Sequence, residues 1–250
     1  MTAGPLGDLR TAVGFLTRLP VGGKSVALDR ARLSRAAGWF PVVGLLVGSV
    51  LGATRLLADL ALAPGAATVL ALAAAIAVTG ALHEDGLADA ADGLGAHVDR
   101  ARRLEILRDP RIGAYGAVAL VLVLLLSWTL LAELSGEDVL RAALCAHVLA
   151  RWSTLPHSHV RPARAADGSA ATLLRAGPGA LAAGSALAIA VTLLVAGMGA
   201  GLVVLAVAAA VTAAGATLMA RALGGVTGDT FGAVNKLVEV SVYAALVAVW

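Results

Sequence analysis

The chain alternates between long apolar stretches and short polar ones rich in arginine. A helix needs about 20 mostly apolar residues to cross a bilayer. Seven stretches meet or approach that length: 36–57, 67–82, 114–134, 139–155, 180–198, 201–223 and 233–250. The second and fourth are short or polar at one end, so six is the smaller count. The pattern predicts an all-α, polytopic integral membrane bundle of about seven spans. The runs are too long and unbroken for a β-barrel, whose strands alternate and turn often. Ahead of the first run, Leu6, Leu9, Val13 and Leu16 recur at helical spacing, with Asp8, Arg10 and Thr11 between them. Residues 5–19 are therefore expected to form an amphipathic helix lying in the membrane interface. Nothing marks a linker, a second soluble domain or an internal repeat, so residues 1–250 read as one transmembrane domain. Residues 1–35 hold no long apolar core followed by a small-residue cleavage site, so no cleaved signal peptide is expected.

Composition sharpens this reading. The chain is 59% hydrophobic and 14% charged, whereas soluble domains carry about 25% charged residues. A soluble fold cannot hide so much apolar surface behind so few charges. Cys145 is the single cysteine. It lies in an apolar run, forms no internal disulfide, and reads as a small packing residue. Charge position then orients the bundle. With the N-terminus cytoplasmic, all of the 19 Lys and Arg except Arg55 and Arg141 fall on inner segments or their flanks. Asp59, Glu133, Glu137 and Asp138 fall on the outer side. This is the positive-inside distribution, and it predicts a multi-pass protein with its N-terminus inside and its C-terminus outside. No nucleic-acid partner is expected, and the oligomeric state is open.

Three inner segments carry candidate chemistry. The first runs His83, Glu84, Asp85, Gly86, Leu87, Ala88, Asp89, Ala90, Ala91, Asp92, Gly93 at the inner end of the second span. It places four carboxylates together with no Lys or Arg among them. At helical spacing Asp85, Asp89 and Asp92 share one face, where like charges repel. A divalent cation is the natural offset, and an all-oxygen set suits Mg²⁺ or Mn²⁺. The small residues between leave room for a bulky anionic ligand.

The second segment is Gly224, Gly225, Val226, Thr227, Gly228, Asp229, Thr230, Phe231, Gly232. Glycines expose backbone N–H groups that can cradle phosphate, as helix N-termini do. Gly225, Thr227 and Gly228 are candidate substrate-binding residues, with Asn235 and Lys236 one turn later. Asp229 is read as a further metal ligand or a general base, and Asp92 as a second candidate catalytic carboxylate. The third segment contains Arg108 and Arg111, whose guanidinium forks suit phosphate. Arg18, in the Phe15–Pro20 stretch, joins them as a candidate substrate contact. Ordinary cytoplasmic anchoring explains these arginines about as well. His157 and His159 fall in a basic loop and are expected to be solvated. Glu239, inside the last span, has no account from the sequence. Together the parts suggest transfer of a phosphoryl group from a diphosphate ester to an alcohol, by positioning and charge neutralisation.

The acidic segment, the stretch Arg111, Ile112, Gly113, Ala114, Tyr115, Gly116 and the Gly224–Asp229 segment together resemble the cobalamin synthase family, in the right order over nearly the whole chain. The resemblance implies an Mg²⁺-dependent transferase of cobalamin biosynthesis, active at the cytoplasmic face of the plasma membrane. Its small-molecule substrates would be adenosylcobinamide-GDP and α-ribazole or its 5′-phosphate, and GMP would leave. It implies that Glu84, Asp85, Asp89 and Asp92 are metal-site residues. One stretch, 164–170, departs from the family's pattern. Two other readings compete. A CDP-alcohol phosphotransferase of phospholipid synthesis shares the acid-rich helix end, but here Ala88 is followed by Asp89 where that pattern has Arg. An ion-coupled transporter would place ionisable groups near the bilayer midplane, whereas the acidic residues here fall mostly at span ends.

Overall fold

The structure is a computed structural model that describes residues 4–21, 29–163 and 174–250. The divergent stretch 164–170 lies outside these residues. Among those described there are eleven α-helices: α1 (Pro5–Leu16), α2 (Arg30–Ala36), α3 (Phe40–Ala58), α4 (Pro64–Thr79), α5 (Leu82–Gly95), α6 (Arg100–Ile106), α7 (Ala114–Glu133), α8 (Gly136–His157), α9 (Pro178–Ala196), α10 (Met198–Leu223) and α11 (Gly228–Val249). A 3₁₀ turn (Ala37–Trp39) joins α2 to α3. The all-α expectation holds.

Local sequence explains most helix starts. Proline occupies the first turn of α1, α3, α4 and α9, where its missing N–H costs nothing. Asp29, Asp99, Ser135 and Thr227 cap α2, α6, α8 and α11 by accepting a backbone N–H. The predicted interfacial helix forms as α1 and stops at Leu16, short of position 19, because Pro20 holds the residue before it extended.

Five helical stretches are long and apolar enough to cross a membrane: Arg30–Ala58, Ala114–Glu133, Pro178–Ala196, Met198–Leu223 and Gly228–Val249. The pair α4 and α5 makes a sixth only if taken together, and the two are bent by 89°. Gly80 (φ 65°) and Ala81 (φ 59°) both sit in the left-handed region at that bend. For an alanine this costs about 1–2 kcal/mol. The consequence is that α5 runs nearly perpendicular to α4. The acidic segment thus forms a helix of its own beyond the bend that ends α4. The remaining expected span, α8, is 22 residues long but carries Glu137, Asp138, Arg141, His147 and Arg151.

The central packing is α3 against α8. Gly44, Gly48 and Gly52 form one stripe on α3, and a Cβ on Gly48 would lie 2.9 Å from the Ala143 carbonyl carbon. Small residues at every fourth position let the two backbones touch, as is usual between helices in lipid. Arg55, placed near the outer surface by the sequence, is fully buried. Its guanidinium donates to Asp59 Oδ1 (2.7 Å), Thr68 Oγ1 (3.0 Å) and the Leu131 carbonyl (2.9 Å), joining α3, α4 and α7. Val118, Val121, Leu122 and Leu125 on α7 point outward.

Candidate functional site

The site forms where α5 crosses the start of α11. A Cβ on Gly86 would stand 2.8 Å from the Asp229 carbonyl and 3.1 Å from the Gly232 Cα. The two helices therefore meet backbone to backbone, and this contact gathers Asp85, Asp89 and Asp229. Thr227 caps α11, accepts from Thr230 N–H, and donates its hydroxyl to Asp229 Oδ2 (3.2 Å). Asp89, on the crossing helix, is pushed up to about 6 by its partial burial and then by Asp229, Asp85 and Asp92. Asp85, Gly86, Gly228, Asp229 and Gly232 line one cleft of about 180 Å³. The rest of its lining is mainly apolar and comes from α1, the start of α5, Leu174 and Phe231, with Thr154 beside them.

The remaining two acidic residues of α5 have other partners. Asp92 accepts Gly113 N–H on Oδ2 (2.7 Å) and Gly116 N–H on Oδ1 (2.9 Å). It holds the start of α7, which explains the two glycines of the Arg111–Gly116 stretch: a Cβ on either would meet its carboxylate. Glu84 Oε1 stands 3.1 Å from Lys236 Nζ. Lys236 also pairs with Glu239, whose Oε2 lies 3.3 Å from both Arg151 and His147 Nδ1. Tyr243 closes the chain at His147 Nε2 (3.3 Å). Lys236, Glu239, Arg151 and His147 are all buried. This network accounts for Glu239. The sequence signal for it was the helical spacing of Lys236 with Glu239 and of His147 with Arg151, too short a pattern to read without the fold.

The other candidates separate by position. Asn235 is buried and donates to the Ala150 carbonyl (2.8 Å). Gly225 is buried too. There the chain forms a single parallel bridge with the 161–163 segment, through Val226 N–H to the Arg161 carbonyl and Ala163 N–H to the Val226 carbonyl, each 3.0 Å. Gly228 lines the cleft. Arg18 is exposed and its side chain lies against Gly80, while its backbone N–H donates to the Val78 carbonyl (2.8 Å). Arg108 is exposed. Arg111 forks onto Asp109 at 2.9 and 2.7 Å and holds that carboxyl down to about 2. His157, expected to be solvated in a loop, is instead buried, because α8 continues through it and its ring packs into the interior. Its ring packs edge-on against Phe231, with centroids 5.0 Å apart.

Among the described residues, no three His, Cys, Asp or Glu side chains stand close enough to enclose a metal unaided. Magnesium, however, is ordinarily held by one or two carboxylates with water and substrate phosphates completing its shell. One observation fits such a shared site: partial burial and then the neighbouring carboxylates Asp229, Asp85 and Asp92 raise Asp89. Glu84 Oε2 is buried with no hydrogen-bond partner among the described residues, but this side chain faces Lys236 and the buried network, away from the cleft. The donor set of Asp85, Asp89 and Asp229 is all oxygen, as a hard cation requires.

Comparison with known proteins places the chain in a family. Residues 8–247 match the family described as cobalamin-5-phosphate synthase. The chain is similar to the adenosylcobinamide-GDP ribazoletransferase of Bradyrhizobium diazoefficiens, with 41% identity over 239 residues, covering 94% of this chain and 91% of that one. It is also similar to the enzyme of the same name from Mesorhizobium japonicum, 41% identical over 247 residues, covering 95% and 91%. A third, from Ralstonia nicotianae, is 37% identical over 245 residues, covering 96% and 95%. No solved structure matches. These matches favour the cobalamin synthase resemblance over the phospholipid and transporter readings.

Proposed function

The chain belongs to the cobalamin-5-phosphate synthase family, and from that premise we propose that it joins α-ribazole, or its 5′-phosphate, to the adenosylcobinamide phosphate of adenosylcobinamide-GDP. The observation that carries this reading is the meeting of Asp85 and Asp229, far apart in sequence, on one wall of one cleft. Asp85, Asp89 and Asp229 would hold Mg²⁺, which when bound supplies positive charge to the diphosphate. Asp229, oriented by the Thr227 hydroxyl, takes the proton from the ribose 3′-hydroxyl. The ribose oxygen bonds to the cobinamide-linked phosphorus, the bond to the bridging oxygen breaks, and GMP leaves. Asp92, through the Gly113 and Gly116 N–H groups, holds α7 against the acidic helix and keeps the carboxylate face open. Arg18, beside the Gly80 bend, and Arg108 and Arg111 offer cationic contacts to phosphate.

The same reading includes seven spans with the N-terminus and the site in the cytoplasm. Three helices between the acidic segment and Gly228 pass the length and apolarity test, namely α7, α9 and α10. An odd number of crossings would leave Asp85 and Asp229 on opposite faces, yet Gly86 touches Asp229. An even number is reached if α8 crosses as well, which supports counting it as a span. Likewise Arg18 meets the α4–α5 bend, which supports α3 and α4 going out and returning.

Purified protein in lipid nanodiscs with Mg²⁺ is expected to release GMP from adenosylcobinamide-GDP only when α-ribazole or its phosphate is added. The absence of GMP above a protein-free control overturns the assignment. For the topology, His159→Cys, just beyond α8, should react with a thiol reagent from the cytoplasmic side and Glu137→Cys, at its start, from the outside. Labelling of both from one side removes α8 from the count of spans.

A further inference from the structure

Apart from Asp85 and Asp229, the cleft that holds them is lined mainly by apolar side chains. Phe15 and Leu16 from α1, Leu82 from α5, Leu174 and Phe231 line it. Two of these rings are fixed by neighbours. Phe15 stacks on Phe40 with centroids 5.8 Å apart and planes within 10°, and Phe231 is held edge-on by His157. The polar groups among the lining residues away from the carboxylates come from Thr154 and His83. The space is about 180 Å³.

Resting on the reading above, the substrates offer three bulky parts to such a space. The corrin macrocycle with its ring of amide side chains is several times too large. Guanine is small enough, but its edge carries several donors and acceptors. Against leucine and phenylalanine most of these would be left unpaired, at a cost for each buried group. The base of α-ribazole is a flat bicyclic benzimidazole with two methyl groups, no N–H donor and one bare ring nitrogen. It is apolar where the wall is apolar, and its single acceptor needs a single donor, which Thr154 or His83 can supply. The attached ribose would then extend toward Asp229.

We infer that this cleft binds the dimethylbenzimidazole base of the nucleophile, with Phe15, Leu16, Leu82 and Phe231 setting specificity for an apolar bicyclic ring. The nucleotide-linked donor therefore approaches the carboxylates from the other side. Leu82 is 44% exposed, so a larger side chain there fills the cleft without disturbing the core.

The test is equilibrium dialysis of α-ribazole and, separately, of adenosylcobinamide-GDP with wild type and Leu82→Trp in nanodiscs, together with KM values for each. Leu82→Trp should weaken α-ribazole binding about ten-fold or more and raise its KM in parallel, with the affinity for the donor unchanged. On wild type, benzimidazole riboside lacking both methyls should bind about ten-fold more weakly than α-ribazole, because two buried methyls lose their contacts. The inference is overturned if Leu82→Trp weakens the donor and spares α-ribazole, if it alters neither, or if the two ribosides bind wild type equally. Should wild type release no GMP, the proposed reaction fails, while the dialysis still decides what the cleft binds.

Discussion

Lys236 Nζ lies 3.1 Å from Glu84 Oε1, tying the acidic helix α5 to a charge network deep within the bundle. The same ammonium pairs with Glu239, and Glu239 with Arg151. Two carboxylates and two cations cancel, which is the condition under which charges can be buried at all. Remove Lys236, and half-buried Glu84 loses its cation while fully buried Glu239 keeps only Arg151 and His147. Lys236→Met is therefore expected to destabilise the protein by about 3–5 kcal/mol. Lys236→Met combined with Glu239→Gln should cost clearly less than the sum of the two single changes. Chemical unfolding in detergent, arranged as a double-mutant cycle, measures this coupling. Strict additivity would mean that the pairing carries no energy.

Asp92 and Asp85 sit on the same helix but do different work, so the same substitution should give different signatures. Asp92 accepts two backbone N–H groups at the start of α7. Asparagine can keep only one of these bonds, and losing a charged one costs about 1.5–3 kcal/mol. Asp92→Asn should lower the unfolding midpoint while retaining GMP release. Asp85→Asn should leave the midpoint unchanged and reduce GMP release by at least about 100-fold, the scale expected when a group neutralising transition-state charge is removed. Equal effects on stability and turnover in both variants would contradict this division.

Gly86 is the point where α5 and α11 touch. A methyl at this position meets the Asp229 carbonyl and the Gly232 Cα, both backbone atoms that cannot step aside. Gly86→Ala should push the helices apart, destabilise the fold by about 1–3 kcal/mol and separate the carboxylates. The check is GMP release beside a thermal melt. Activity should fall well beyond the unfolded fraction at the assay temperature.

Much of this arrangement was legible in the sequence, and the parts that were not share a cause. Apolar run length gave the spanning helices, because the bilayer imposes a length that needs no tertiary information. The residues of the acidic helix and of the Gly224–Gly232 turn were legible because charges without partners stand out in an apolar chain. The 89° bend was not, since Ala81 has no sequence mark of a left-handed backbone. The network of Arg151, Lys236 and Glu239 was hidden for a related reason. Each charge alone resembles an anchor or an anomaly, and only the meeting of α8, α11 and α5 makes them complementary. Asp92 was grouped with its neighbours by helical face, while its actual partners are two backbone amides on α7, which side-chain periodicity cannot foresee.

Among the described residues, Asp85, Asp89 and Asp229 come together around the cleft with no cation paired to them, and they lead to the last expectation. Like charges held this close favour a divalent ion, and Asp89 already shows the strain in its raised proton affinity. Mn²⁺ can stand in for Mg²⁺ and is visible by electron paramagnetic resonance. Wild type should bind Mn²⁺ more tightly in the presence of GDP, because phosphate oxygens complete the shell. Asp89→Asn and Asp229→Asn should each weaken that binding by about 10-fold or more, on the scale of a lost charge-assisted contact. Glu84→Gln should change it little, since Glu84 is already paired with Lys236. Chelation should stop GMP release, and Mg²⁺ should restore it. If Mn²⁺ affinity falls in Glu84→Gln but not in Asp229→Asn, the cation sits on the network side of α5 and not in the cleft.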